Sequence, residues 1–173
     1  MRDGSEAEYV DYVTARIPAL RRLAYLLAGD EHRADDLVQQ TITTLFVKWP
    51  RAKNADHLDA YVRTMLVRTY VDERRLAWAR VRLFRDTPEP PPLADGGVED
   101  RQVVRAALAR VPRRQRAVLV LRFFYDLPVD EVAGTLGCSP GTVKSQTSRG
   151  LATLRRLLGE REFAGFSPDG LRS

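Results

Sequence analysis

The sequence has almost no cysteine. Cys138 stands alone, so no disulfide can close within the chain, and a reducing compartment fits it. It has two histidines, His32 and His57. No Cys/His spacing suits zinc, no Gly-rich loop could cradle a phosphate, and no nucleophile elbow is present. The nearest approach to a metal-ligating group is His32 with Asp35 and Asp36. A single His beside two carboxylates is weak support for a metal-dependent hydrolase. These absences speak against an enzyme and against a bound metal. Long apolar runs are missing too. None approaches the roughly 18 residues of a membrane span, and the opening MRDGSEAEYV lacks the apolar stretch of a leader. A cytoplasmic protein without membrane insertion is expected. Strand-like alternation of apolar and polar residues is absent as well, which removes sheet architectures.

What is present is charge, and it is unevenly spread. The 173 residues carry a net +5, a balance that favours an acidic partner such as nucleic acid. From Asp86 to Asp100 the chain reads DTPEPPPLADGGVED, with five acidic residues, no basic one, four prolines and a Gly pair. Proline cannot continue a helix, and Pro90-Pro91-Pro92 favours extended chain. This stretch predicts a flexible, acidic, proline-rich linker over 86–100. It separates a module over 1–85, with 15 basic and 12 acidic groups, from one over 101–173, with 13 and 6.

Both modules are rich in Ala, Leu and Arg at helical spacing, so the fold class expected is all-α with two small domains. In the first, Ser5 is placed to cap a helix with Tyr9, Val13, Ile17, Leu20 and Leu27 inward, ending at Gly29 and kinked or split at Pro18. A second helix is expected from about Arg33 to Lys48, with Leu37, Ile42, Leu45 and Phe46 inward and Trp49-Pro50 closing it. A third runs from about His57 to Arg82, with Leu58, Tyr61, Val62, Met65, Leu66 and Tyr70 as its apolar positions. Tyr61, Tyr70 and Trp78 resemble stacking platforms, but at this spacing a core role is favoured. The second module predicts helices over Arg101–Arg110, Arg113–Tyr125, Val129–Leu136 and Pro140–Leu158.

The last two of these carry the sharpest signal. In VDEVAGTLGCSPGTVKSQTS, Ala133 is small where two helices would cross, and Gly137 follows where a turn calls for a left-handed backbone. Val143 would plug the space between the helices. Ser139-Pro140 is a helix start: serine can cap free N–H groups, and proline suits the first turn. Thr142, Lys144, Ser145, Ser148 and Arg149 would then face outward, and Val143, Leu151, Leu154 and Leu158 inward. This is the layout of a helix-turn-helix whose second helix enters a major groove. Arg113, Arg114 and Arg116 can hold phosphates nearby, or form a solvated face. Cys138, in the turn, reads as a small buried residue.

Placed side by side, the two modules resemble the extracytoplasmic-function (ECF) sigma factors, across roughly Tyr9–Arg85 and Arg101–Leu158. ADDLVQQTITTLFVKW is similar to the family's polymerase-binding helix, and YVRTMLVRTYVDERR to the helix that reads the upstream −10 element. LARVPRRQRAVLVLRFFYDLPVDEVAGTLGCSPGTVKSQTSRGLATLR is similar to the family's −35-reading domain, its GTVKSQTSRGLATLR end especially to an actinobacterial subgroup. The resemblance implies that Asp36 and Gln39, with Asp35, Gln40 and Arg33 as lesser candidates, bind the clamp of core RNA polymerase. It implies a −10 surface from the loop Ala52–Ala55, which includes Lys53 and Asn54, and from Arg63, Thr64, Val67 and Arg68, with Arg74 and Arg75 on phosphates. It also implies −35 contacts from Arg113, Arg114, Thr142, Lys144, Ser145, Ser148 and Arg149. The partners implied are core polymerase (clamp and flap) and promoter DNA, with an anti-sigma protein left open; since polymerase does the chemistry in this family, the resemblance implies no catalytic residue, metal or cofactor of the chain's own.

Four residues depart from the family pattern. Gln40 stands where Glu is more frequent, Arg68 where many members have Asn, and Thr147-Ser148 where a larger apolar residue and an aromatic or His are common. Arginine can stack or pair with a guanine edge but cannot mimic an amide, so the −10 preference is open. The rival reading is a stand-alone helix-turn-helix regulator, whose first module would dimerise or sense a ligand.

Overall fold

In the computed structural model, which describes residues 3–81 and 100–164, the described residues form helices and no strand. Packing divides the chain into two units, Met1–Asp72 and Glu73–Ser173. Of the linker expected over 86–100, Asp100 opens a helix and the others lie outside the described residues.

The first unit holds α1 (Asp3–Ala28), α2 (Glu31–Ala52) and α3 (Leu58–Val81) as far as Asp72, the rest of α3 being counted with the second. The turn between α1 and α2 is only two residues long because each residue solves one helix end. Gly29 takes φ 73° and returns its N–H to the Tyr25 carbonyl at 2.8 Å, while Asp30, extended at φ −145°, accepts from Arg33 N–H at 2.9 Å. That cap starts α2 at Glu31, before the Arg33 expected. Ser5 is not a cap: α1 already runs at Asp3, where acidic residues suit the positive end of the helix dipole.

Neither proline ends its helix. α1 passes through Pro18 unsplit and α2 through Pro50 to Ala52. Both prolines are exposed, so the carbonyls they deprive of a partner lie on the solvent side. Apolar burial on both flanks holds the helices together: Val13 and Leu20 around Pro18, Trp49 and Ala52 around Pro50. The core adds Leu23, Leu27, Leu37, Leu45, Val62, Leu66 and Tyr70, each about 2 kcal/mol for a leucine. Tyr9 ties α1 to α2 by donating to the Ile42 carbonyl at 2.7 Å and meeting Phe46 and Trp49 edge-on at 5.1 and 5.4 Å.

The second unit holds α4 (Asp100–Arg110), α5 (Arg113–Leu119) continued by a π turn (Val120–Phe124), α6 (Val129–Leu136), α7 (Pro140–Leu158) and α8 (Glu160–Ala164). Arg116 is not available for phosphate. Its half-buried guanidinium donates to the carbonyls of Ala109 and Val111, the free acceptors at the end of α4. Beyond the π turn Asp126 takes φ 51°, and Arg122 Nη1 donates to the Leu127 carbonyl at 2.6 Å, fixing the bend into α6. Gly150 lets α5 and α7 cross closely: a Cβ there would lie 3.1 Å from Leu119 side-chain carbons. Val104, Leu108, Val118, Leu121, Val132 and Leu154 fill the core.

Candidate nucleic-acid and polymerase interfaces

In α2, the buried stripe of Leu37, Val38, Leu45 and Trp49 leaves Asp36, Gln39, Gln40 and Thr43 exposed. Asp36, Gln40 and Thr43 fall within about 60° of one another on the helix. Among the described residues the side chains of Asp36, Gln39 and Gln40 make no hydrogen bond or ion pair, so their polar groups face outward unspent. Asp35 is different. Arg21 clasps it with two nitrogens, at 2.9 Å and 3.2 Å. Among the described residues no three metal-ligating side chains gather, at His32 or elsewhere. The same face turns apolar further on, with Phe46 41% and Val47 76% exposed. Phe46 therefore departs from the inward position expected of it; Leu45 and Trp49 already fill that side of the helix.

At the next surface, Lys53 and Asn54 follow α2. Lys53 Nζ pairs with Glu8 at 2.8 Å, and Asn54 Nδ2 donates to the Pro50 carbonyl at 3.2 Å. On α3, Arg68 is exposed and Arg63 and Thr64 are half-buried; both arginines have partners within the chain. Val67 does not belong to this surface: it is wholly buried, as a branched apolar side chain on the bundle side should be. Tyr61 takes the opposite course. At 37% exposed it shares a face with Thr64 and Arg68, and it is no core residue, whereas Tyr70 is buried. The 61–64–68 spacing was the signal that could have revealed it. The side chains of Arg74, Arg75 and Trp78 lie outside the described residues.

The third surface is set by α6 and α7. Gly137 adopts φ 64°, and its N–H and that of Cys138 both turn back to the Ala133 carbonyl, ending α6 in a left-handed cap. Ser139 then caps α7, accepting from Thr142 N–H at 3.1 Å, with Pro140 in the first turn. Ala133 and Val143 are buried between the helices, at 5% and 0% exposed. That packing turns Thr142, Lys144, Ser145, Ser148 and Arg149 to solvent. Ser145 Oγ donates to the Thr142 carbonyl at 3.1 Å and Ser139 Oγ meets Thr142 Oγ1 at 2.9 Å, so two of the five hydroxyl-bearing or basic groups are already oriented. Arg114 is exposed, Arg113 half-buried with partners of its own, and Cys138 only half-buried. A basic, capped helix held outward behind a tight turn is built to meet a polyanion's groove.

Comparison with known proteins agrees with both units. The family model described as sigma-70 region 2 matches residues 12–80, and that described as sigma-70, region 4, matches residues 101–154. RNA polymerase sigma-E factor of Streptomyces avermitilis is 33% identical over 94% of this chain and 92% of its own length. The chain belongs to the ECF sigma factors. This sigma factor is also 29% identical to the ECF RNA polymerase sigma factor EcfG of Rhodopseudomonas palustris, over 92% of this chain and 90% of that one. Among solved structures it is similar to the sigma factor RpoE of Bartonella quintana, determined in complex with the anti-sigma factor NepR. The TM-score there is 0.71 at 26% identity, covering 88% of this chain and 98% of that one. The stand-alone regulator reading gives way, because the first unit is a sigma region and not a sensor. As a sigma factor the protein directs RNA polymerase to promoters. Among the described residues no helix is long and apolar enough to cross a membrane.

Proposed function

We propose that this sigma factor divides promoter recognition among the three surfaces. The exposed face of α2, led by Asp36 and Gln39 with Gln40 beside them, docks on the clamp of core polymerase, and Asp35 supports that face through Arg21. The loop at Lys53 and Asn54, with Tyr61, Thr64 and Arg68 of α3, reads the −10 element. Opening a duplex requires holding single-stranded bases, and an exposed ring beside an arginine offers stacking and an edge contact. Arg63, Arg74 and Arg75 supply phosphate affinity. In the second unit, Thr142, Lys144, Ser145, Ser148 and Arg149 read the −35 element, with Arg113 and Arg114 toward the backbone. The flap of polymerase is this unit's protein partner.

The observation that carries the reading is the opposite chemistry of α2 and α7 on faces left exposed by equally well-packed cores. α2 offers one unspent carboxylate among amides, and α7 offers cations among hydroxyls. Polymerase performs the chemistry, so this chain needs no catalytic group, metal or cofactor, and it works in the cytoplasm where polymerase is. An anti-sigma protein is a further partner, by analogy with the Bartonella quintana relative. Runoff transcription with purified core polymerase, combined with permanganate footprinting, tests the assignment. Arg68→Ala should lower open-complex formation more than closed-complex binding. Equal loss at both stages would reduce Arg68 to general phosphate affinity.

A further inference from the structure

A polar stripe on α1 grips both ends of the loop that joins α2 to α3. Glu8, Tyr12 and Arg16 stand four residues apart, within about 80° of one another on the helix. Glu8 receives Lys53, the first residue after α2, at 2.8 Å. Tyr12 OH donates to one oxygen of Asp59 at 2.9 Å, and Arg16 Nη2 pairs with the other at 2.6 Å. Asp59 lies in the first turn of α3. The Arg16 guanidinium also sits 6.0 Å from the centre of the Tyr12 ring, so the two hold each other. Burial, and then the Asp59 carboxylate, push the Tyr12 phenol well above its ordinary value, so it remains a donor.

Between these grips the loop is short. Asn54 folds its amide onto the Pro50 carbonyl, and Ala55 N–H meets the Ala52 carbonyl at 3.0 Å. Leu20, Leu45, Val62 and Leu66 fill the core of the unit; of the stripe, the Tyr12 ring meets the buried Trp49 at 5.6 Å, a contact that phenylalanine would keep. Half-exposed ion pairs add little to global stability. Three groups on one rail, all aimed at the two ends of one loop, instead restrain that loop's shape. Glu8 also offsets the Lys53 charge, so what the loop brings to DNA is form more than attraction.

We propose that Glu8, Tyr12 and Arg16 are positioning residues for promoter reading, holding the loop 53–57 in the shape that discriminates the −10 element. The inference rests on the reading of that loop as part of the −10 surface. A base then meets a preset edge and does not have to order a free chain as it binds.

The test uses full-length protein assembled with core polymerase, and fluorescent promoter DNA carrying the preferred −10 element or single changes in it, over a salt series. Glu8→Gln, Tyr12→Phe and Asp59→Asn are compared with wild type, and Arg16→Lys serves as the conservative control. The expected result is unchanged affinity for core polymerase, discrimination lowered about fivefold, and retention in Arg16→Lys. Glu8→Gln should in addition steepen the salt dependence by about one unit, because Lys53 is released toward phosphate. Lys53→Ala with Asn54→Ala separates the two readings. If these loop changes lose discrimination while the stripe variants keep it, the proposal falls and the −10 assignment stands. If neither set alters discrimination, the loop does not read DNA and both fall. If the stripe variants lower melting temperature and weaken all sequences alike, the stripe is merely structural and the proposal is overturned.

Discussion

Helices α2 and α7 are built alike and offer different chemistry. They have 22 and 19 residues, and each is capped by a side-chain oxygen that accepts from the N–H three residues on: Asp30 from Arg33, Ser139 from Thr142. Each buries one apolar stripe. The faces left over differ in kind. α2 shows Asp36, Gln39, Gln40 and Thr43, then Phe46 and Val47; α7 shows Lys144, Ser145, Ser148 and Arg149. Protein partners are met by carboxylate, amide and apolar contacts, whereas a groove lined by phosphates calls for cations and hydroxyls. The charge balance of the two modules runs the same way, +3 against +7. Packing makes a helix present a face, and the residues that packing does not use choose the partner.

The largest expected effect breaks the comparison at its shared base, the core. Leu154 of α7 is 1% exposed and Leu45 of α2 is fully buried. Leu154→Ala should cost about 2–5 kcal/mol in the second unit and Leu45→Ala a similar amount in the first. Urea unfolding followed by hydrogen exchange should show each loss confined to its own unit. Loss of protection across both would mean that they unfold as one body.

Next in size is the effect on sequence choice in α7. Lys144 and Arg149 are five residues apart and diverge by about 140° around the helix, so they cannot both face one base step. Lys144, in the first turns where such helices reach deepest, should read a base edge. Lys144→Ala is expected to remove roughly 1–3 kcal/mol of −35 discrimination, and Arg149→Ala to weaken all sequences while lowering the salt slope by about one unit. Binding to matched and scrambled duplexes over a salt series decides it; a lost preference in Arg149→Ala alone would reverse the two roles.

On α2 the counterpart is Asp36→Ala with Gln39→Ala, which should weaken core-polymerase binding by about 2 kcal/mol and leave −35 duplex binding untouched. Unchanged affinity for core polymerase with a normal circular dichroism spectrum would remove these residues from the docking face. The smallest effect sharpens the likeness of the two helices. Asp30→Ala and Ser139→Ala should each cost about 1 kcal/mol, seen as a few degrees of melting temperature, because each deletes one cap of the same kind. A much larger loss at Ser139 would show that the turn depends on it for more than capping.

How much of this was legible in advance varied with how local its cause is. α6 and α7 fall where expected, at Val129–Leu136 and Pro140–Leu158, because Gly137 and Ser139-Pro140 act within one turn of themselves. α2 starts at Glu31, two residues before the Arg33 expected, because Asp30 caps it. Local rules predict a kink or a split at Pro18 and a helix end at Pro50, but both helices continue, because burial on both sides outweighs one lost hydrogen bond. Phe46 and Tyr61 look like core and are exposed, while Val67 lies in the stretch read as a DNA face and is buried. Arg116 looks like a phosphate ligand and serves carbonyls of its own chain.

Backbone preference and helical period, acting within a few neighbouring residues, suffice for the helical class, the turn at Gly137, the capped start of α7 and the residues that face outward on it. Packing alone selects which of two similar apolar residues is buried and gives Asp35 to Arg21. It also gives Lys53 to Glu8 and lets Tyr12 and Arg16 share Asp59. These pairs join residues 14 to 47 positions apart. No local pattern can announce such a pair, because each partner is chosen by where the packed helices bring it.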